Sequence, residues 1–511
     1  MNKSLINAAQ PVFLLLGLTS LLVSGASFVP VGAAYGQSGN FAYRQSGNFA
    51  YRQGDKLGQG GNLAHGHGGN MAHAQGGNLA QGDGVAGQHK AIVIDDPQLI
   101  HRCIKEVADV IIRDIYSPPV ASRTYAYMTV AGYEAARQGS PSYPSFAGRL
   151  HGLDAVPAPD PGKQYDFTLA AMQSILTVGK AMVISEDLVE AFREKVMADL
   201  KARLPADVFT NSVEYGRKVA AHILAWAGKD YYKETRAMSK YDPGIEAATW
   251  KPTPPAYMKA IEPHWSQMRT FIIDSARQFI PHPPTPFSQE KGSAFYNDAM
   301  EVYQAGLHLT EEQRVIANFW DCNPFKMNVN GHLMFATKKI SPGGHWISIT
   351  AVACQKSGAD AVRSLQAYAW VSVVIADAFI SCWDEKYRSN AIRPETYINQ
   401  YISQDWMPLL QTPPFPEYTS GHSVVSACAA VVLTKLFGSH FAFNDSTEVE
   451  FGLPPRSFTS FQQAAEEAAV SRFYGGIHFK PAIQYGLDEG RKIGEFVEAR
   501  MPAGPGSGMR Y

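Results

Sequence analysis

Residues 418–437 read Tyr-Thr-Ser-Gly-His-Ser-Val-Val-Ser-Ala-Cys-Ala-Ala-Val-Val-Leu-Thr-Lys-Leu-Phe. The run from Val424 to Phe437 is apolar enough for a buried helix, and Ser420 before it is an N-cap residue. Gly421 lets a backbone approach another group closely, and a helix start aims unpaired N–H groups and the positive dipole end outward. Ser420 adds a hydroxyl donor, and His422 adds a group that exchanges protons near neutral pH. Taken alone, the fragment reads first as a plain serine cap with an incidental histidine.

Outward from this helix, segments of 3.6-residue period recur. They fall at 97–115, 119–137, 165–182, 185–204, 211–227, 293–306, 310–320, 359–385, 460–473 and 483–500. Asp96-Pro97, Ser185 and the capping box Thr310 to Gln313 mark starts. No run of alternating strands stands out, so the expected class is all-α, with single apolar stripes buried as helical bundles. Proline-rich stretches at 154–161, 252–263 and 281–286 read as excursions between helices. One near 260 suggests an N-terminal helical layer, 91–260, and a catalytic bundle, 261–505.

Two further fragments carry charge. Lys386 and Arg393 are seven positions apart, which falls about 20° short of two helical turns. If the helix persists to Pro394 and stops there, both cations leave one face. Such a pair also marks many solvated faces. Ser471-Arg472 ends the segment from 460, and Gly475-Gly476 breaks it before His478. The glycines let the chain fold back, which could bring Arg472 and His478 to one wall.

In order, these stretches read K-x6-R-P, then T-S-G-H, then S-R-x5-H, and they resemble the signature of the vanadium-dependent haloperoxidase and type 2 phosphatidic acid phosphatase superfamily. The resemblance implies paired helical bundles around one tetrahedral oxyanion, vanadate, with phosphate as the competing ion. It implies that His478 is the axial vanadium ligand. Lys386, Arg393, Ser420, the Gly421 N–H and Arg472 would hold the equatorial oxygens, and His422 would be the acid/base. Lys386 would also polarise peroxide for attack by halide. The partners implied are hydrogen peroxide, halide and a small organic substrate that hypohalous acid halogenates.

Trp383 and Phe415 occupy positions where fungal chloroperoxidases of the family carry Trp and Phe, which favours halide chemistry. Phosphatases usually place an Asp four residues after the histidine, where this chain has Ala482. In the other direction, Thr419 replaces the proline that opens the second motif. A secreted acid phosphatase working through a phosphohistidine therefore stays open, as does a non-catalytic anion-binding protein. Asp321 is expected to pair one of the cavity arginines, and His345, in the Gly/Pro-rich stretch 342–346, to line the substrate mouth. Asp377 and Asp384 read as structural.

The bulk numbers exclude little else. Lys+Arg at 45 against Asp+Glu at 46 leaves no basic field for nucleic acid or an anionic membrane, so any anion site is local. The five cysteines are scattered and read as packing residues. Lys3, the apolar run Val12 to Val23 and Gly32-Ala33-Ala34 read as a signal peptide over 1–34, giving a secreted or periplasmic protein with no membrane span after cleavage. Residues 35–90 repeat Gln-Ser-Gly-Asn-Phe-Ala-Tyr-Arg at 37–44 and 45–52, then Gly-Gly-Asn units at 60, 68 and 76. Such composition buries too little to offset chain entropy, so it reads as a flexible linker.

Overall fold

Helices begin where the chain supplies a cap. Asp96 accepts from the Gln98 N–H and opens α1 (Pro97–Arg113). Ser117 accepts from Val120 and opens α2 (Pro118–Ala136), and Asp166 does the same for α3 (Phe167–Met182). Then come α4 (Glu186–Arg203), α5 (Ala206–Ala227) and a short α6 (Tyr232–Ala237). The computed structural model describes residue 94 and residues 96–502 apart from 331. The signal-peptide and linker expectations for 1–34 and 35–90 lie outside the described residues.

Beyond a long irregular connection, α7 (Ala294–Leu307) and α8 (Glu311–Phe319) follow, the latter started by the expected Thr310/Gln313 capping box. A hairpin of β1 (Met327–Asn330) and β2 (Leu333–Ala336) precedes α9 (Pro342–Lys356). The chain continues through α10 (Ala361–Ser389), α11 (Pro394–Tyr401) and α12 (Gly421–Phe437). A second hairpin, β3 (Phe443–Asp445) with β4 (Arg456–Phe458), leads to α13 (Phe461–Tyr474) and α14 (Lys480–Glu498). The fold is thus all-helical apart from two small hairpins, whose strands are too short to print a period-two pattern.

Two local expectations are corrected. The glycines at 343 and 344 do not make a loop: Ser341 caps α9 by accepting from the Gly344 N–H, with Pro342 in the first turn. Nor does α10 run to Pro394. It ends at Ser389, because Asn390 adopts φ 45°, a left-handed conformation that asparagine tolerates. Pro394 instead starts α11, its missing N–H falling where a helix has no use for one. Lys386 therefore lies in the last turn of α10, while Arg393 is the N-cap residue of the next helix.

The core crosses residue 260 without interruption, since α2 packs on α3 and α5 on one side and on α10 on the other. α10 is long and apolar enough to cross a membrane, yet its most apolar stretch is wholly buried within the protein. α12 lies against α10, α13 and α14. Gly486, Gly490 and Gly494 put a flat ridge on α14; a Cβ at Gly490 would meet the Val424 carbonyl oxygen at 2.1 Å. That close approach fixes the start of α12 and hence the Ser420 turn.

Candidate active site

Three buried cations converge on the start of α12. The Lys386 ammonium donates to the carbonyls of Pro416, Glu417 and Thr419 at 3.0, 3.1 and 2.5 Å. Arg393 donates Nε to the Phe415 carbonyl at 3.0 Å and Nη1 to the Ile477 carbonyl at 2.8 Å. Its Nη2 is buried with no partner. Arg472, at the end of α13, donates to Ser471 Oγ at 2.9 Å and to the Ala317 carbonyl at 3.3 Å. Among the described residues none of the three forms an ion pair. The nearby carboxylates are engaged elsewhere: Glu417 with His478, Asp384 with Arg277 and Arg388, Asp321 with Lys339 and Lys326. Burial pulls Lys386 down to about 8.

His478 completes the group from the loop after α13. Its Nδ1 lies 2.8 Å from Glu417 Oε1, and its Nε2 3.1 Å from Arg393 Nη1. Burial, then the charges of Arg393 and Lys386, hold its pKa well below the usual histidine value, so the ring is neutral. An arginine cannot accept, so Nε2 carries the lone pair and Nδ1–H is donated to Glu417. Glu417 Oε1 also accepts the Phe479 N–H at 3.0 Å, and burial raises its carboxyl to about 7. The carboxylate that orients His478 thus comes from the loop before α12 rather than from position 482. Sequence reasoning missed it, although a lone glutamate in the run Pro-Pro-Phe-Pro-Glu-Tyr was a signal, because such a charge needs a partner once buried.

Gly421, His422, Arg472, His478, Trp383 and Phe415 line one cavity of about 40 Å³, enough for a small anion and water. Lys386, Arg393 and Ser420 stand behind that lining, fully buried. A Cβ placed on Gly421 would enter the same space, 3.6 Å from the Trp383 ring and 3.9 Å from Lys386 Cε. Ser420 Oγ accepts the Ser423 N–H, which leaves its proton free to donate. His422 Nε2 is buried without a partner, and burial followed by the Arg472 charge depresses its pKa well below normal. The Phe415 ring lies 5.0 Å from the Lys386 ammonium and 5.1 Å from the Arg393 guanidinium, and its centroid is 5.0 Å from that of Trp383. Both aromatic rings are walls of the cavity.

Among solved structures, that of the first bacterial vanadium-dependent iodoperoxidase matches at 48% identity with a TM-score of 0.76, over 80% of this chain and 98% of that one. The chain belongs to the vanadium-dependent haloperoxidases. Residues 366–503 of this haloperoxidase match the family described as the VCPO second helical-bundle domain. Holo- and apo-type bacterial vanadium-dependent chloroperoxidases share the fold at 17% and 16% identity. Their TM-scores are 0.56 and 0.54, over 76% and 75% of this chain and 94% of each of theirs. No curated protein sequence matches the chain.

The haloperoxidase departs from expectation at two other positions. Asp321 does not pair an arginine; its Oδ2 binds Lys339 at 2.8 Å and Lys326 at 3.3 Å, and it reaches Arg472 only through its field. His345 does not line the cavity. It is fully buried behind it, stacked on Trp320 at 4.5 Å and bonded to Asp445, because α9 turns its first residues inward against β3. Asp377 accepts the Phe271, Ile272 and Ile273 N–H groups, a structural use. Thr419, in the proline position, donates to the buried Glu489 at 2.7 Å.

Proposed function

We propose that this protein oxidises halide, iodide first, with hydrogen peroxide at a vanadate held between Lys386, Arg393, Ser420, the Gly421 N–H, Arg472 and His478. The observation that carries the reading is a cavity with three buried, unpaired cations and one neutral imidazole presenting a lone pair. Burying three cations with no carboxylate in direct contact is costly, and an oxyanion reduces that cost while taking several charge-assisted hydrogen bonds. The unsatisfied Arg393 Nη2 is one such donor. Vanadate fits this donor set, and when bound it supplies Lewis-acid activation of peroxide towards halide.

The chain's own residues then have distinct tasks. Glu417 holds the tautomer in which His478 Nε2 donates its lone pair, as outer partners of metal-bound histidines do. His422, neutral because of burial and Arg472, takes a proton from incoming peroxide and returns it to the departing oxygen. The overall reaction, halide plus peroxide plus one proton giving hypohalous acid and water, consumes the proton this residue manages. Lys386 keeps positive charge beside the oxygen that halide attacks. Trp383 and Phe415 exclude water from that face and make a polarizable site suited to a large halide.

Iodide as the preferred halide is supported by the 48% identity to the iodoperoxidase. The orienting role of Glu417 serves a phosphohistidine equally well, so the absence of a carboxylate at 482 no longer argues against a phosphatase; the relative carries that choice. Export is part of the reading, supported by the apolar run Val12 to Val23 and the small residues after it. The test is the full chain with orthovanadate, peroxide and each halide in turn, followed by a phosphate ester without vanadate. Vanadate-dependent iodide oxidation exceeding bromide and chloride is expected; ester hydrolysis with no halide oxidised would overturn the proposal. N-terminal sequencing of cell-free protein checks export.

A further inference from the structure

Behind His422 lies a second cluster that the oxyanion chemistry does not use. His345, in the first turn of α9, has Nε2 2.8 Å from Asp445 Oδ2 and 2.7 Å from Thr447 Oγ1. Its other nitrogen, Nδ1, lies 3.5 Å from Cys322 Sγ and 3.3 Å from Glu448 Oε1. The three donor atoms of Cys322, His345 and Glu448 lie within 4.8 Å of one another. All three residues are at most 3% exposed, and Glu448 Oε1 has no hydrogen-bond partner.

We infer that Cys322, His345 and Glu448 form a zinc site, with Nδ1, Sγ and Oε1 as ligand atoms and Asp445 fixing the imidazole. The two separations from Nδ1 are those of a tetrahedron's edges, and the third, from Sγ to Oε1, lies within 4.8 Å. With zinc about 2.0 Å from nitrogen or oxygen and about 2.3 Å from sulfur, tetrahedral angles set N and S about 3.5 Å apart and N and O about 3.3 Å apart. Nδ1 stands at those separations from Sγ and from Oε1.

The tautomer agrees as well. Asp445 and Thr447 take the Nε2–H, so an ion that displaces the Nδ1 proton meets the Nδ1 lone pair between a thiol and a carboxylate, the arrangement in which a carboxylate backs a metal-bound histidine. A mixed nitrogen, sulfur and oxygen set suits a borderline-soft divalent ion rather than calcium or magnesium.

The three ligands come from the loop after α8, the start of α9 and the turn after β3. An ion there pins Cys322, one wall of the catalytic cavity, to the β3–β4 hairpin.

The untagged full chain is stripped with chelator and titrated with cobalt(II), then zinc, with no vanadate present. One cobalt per chain should appear with tetrahedral visible bands and a thiolate-to-cobalt charge-transfer band in the near ultraviolet, and zinc should displace it. Cys322→Ser should remove the charge-transfer band. Asp445→Asn should weaken zinc binding by about 10- to 100-fold, the usual loss when a partner of a metal-bound histidine is altered. Circular dichroism checks that both variants fold, and the wild-type titration stands without either. Absence of the thiolate band in the wild type, or its persistence in Cys322→Ser, overturns the site. Either result leaves the oxyanion reading as it was, because vanadate takes no part.

Discussion

His345 and His478 are both enclosed imidazoles, and each has a carboxylate oxygen at 2.8 Å, yet their environments push them in opposite directions. Around His345 stand Asp445, Glu448 and Cys322, and its pKa lies well above the ordinary value. Around His478 stand Arg393, Lys386 and Arg472, and its pKa lies well below. The carboxylate contact therefore decides which nitrogen keeps the proton, while the net charge of the shell decides whether a second proton stays. Carboxylates dominate the shell of one ring and cationic side chains that of the other. The two clusters act together on His422, whose proton affinity is lowered by burial first and then by the charges of Arg472 and His345.

The largest break in this comparison comes from the ring itself. His478→Ala removes the imidazole that the proposed site sets against the oxyanion's central atom. Vanadate affinity should fall by at least about 100-fold, since even altering an outer partner costs 10- to 100-fold. Halide oxidation should fall to background at ordinary vanadate, and equilibrium dialysis with metal analysis reads the affinity directly. Next comes Arg472→Ala. Losing a charge-assisted hydrogen bond costs about 1.5–3 kcal/mol, so vanadate should bind roughly 10- to 150-fold more weakly while saturating vanadate restores most turnover. Failure of excess vanadate to restore it would give Arg472 a task beyond holding the anion.

Glu417→Gln makes a smaller and more specific change. The amide oxygen still accepts from Nδ1, but the charge that strengthens the histidine as a donor is gone. A loss of about tenfold in vanadate affinity is expected, with the melting temperature nearly unchanged. Glu417→Ala should do worse on both counts, because it also strands the Phe479 N–H. Equal melting losses in the two variants would mean that Glu417 serves the fold rather than the ring.

What could be read beforehand follows from how local each feature is. Helices α1, α2, α8 and α12 announce themselves by caps and by apolar period, and they appear at nearly the expected bounds. α9 and α11 were missed because proline and glycine at their starts read as breaks, although proline is at home in a first turn. The motif positions from Lys386 to His478 were legible, and the structure brings them together around one cavity. Glu417 and the surroundings of His345 were not, since each depends on chain distant in sequence: Asp445 meets His345 only because the β3–β4 hairpin packs on α9. The likeness of Trp383 and Phe415 to chloroperoxidase positions was visible, but not the way Phe415 sits against both Lys386 and Arg393.

The finest test uses pH to separate fixed charge from adjustable charge within the cationic cluster. Burial holds free Lys386 near 8, whereas a bound oxyanion would raise it, because charge of opposite sign favours the protonated amine. By linkage, Lys386 contributes fully to anion affinity below about 8. That contribution falls as pH rises through and beyond that value, by at most about tenfold per unit, until the pKa of the bound state is passed. The arginines supply no such slope near 8; Arg393, which burial pulls down to about 10, would add one only at higher pH. Vanadate titrations from neutral to alkaline pH should therefore show a decline in the wild type that is shallower in Lys386→Met, whose affinity is lower at neutral pH. The difference between the two curves isolates the lysine from any titration of the anion itself. Identical slopes would mean that the Pro416, Glu417 and Thr419 carbonyls keep the ammonium charged whether or not an anion is present, and the cradle's charge would then be fixed in all three of its cations.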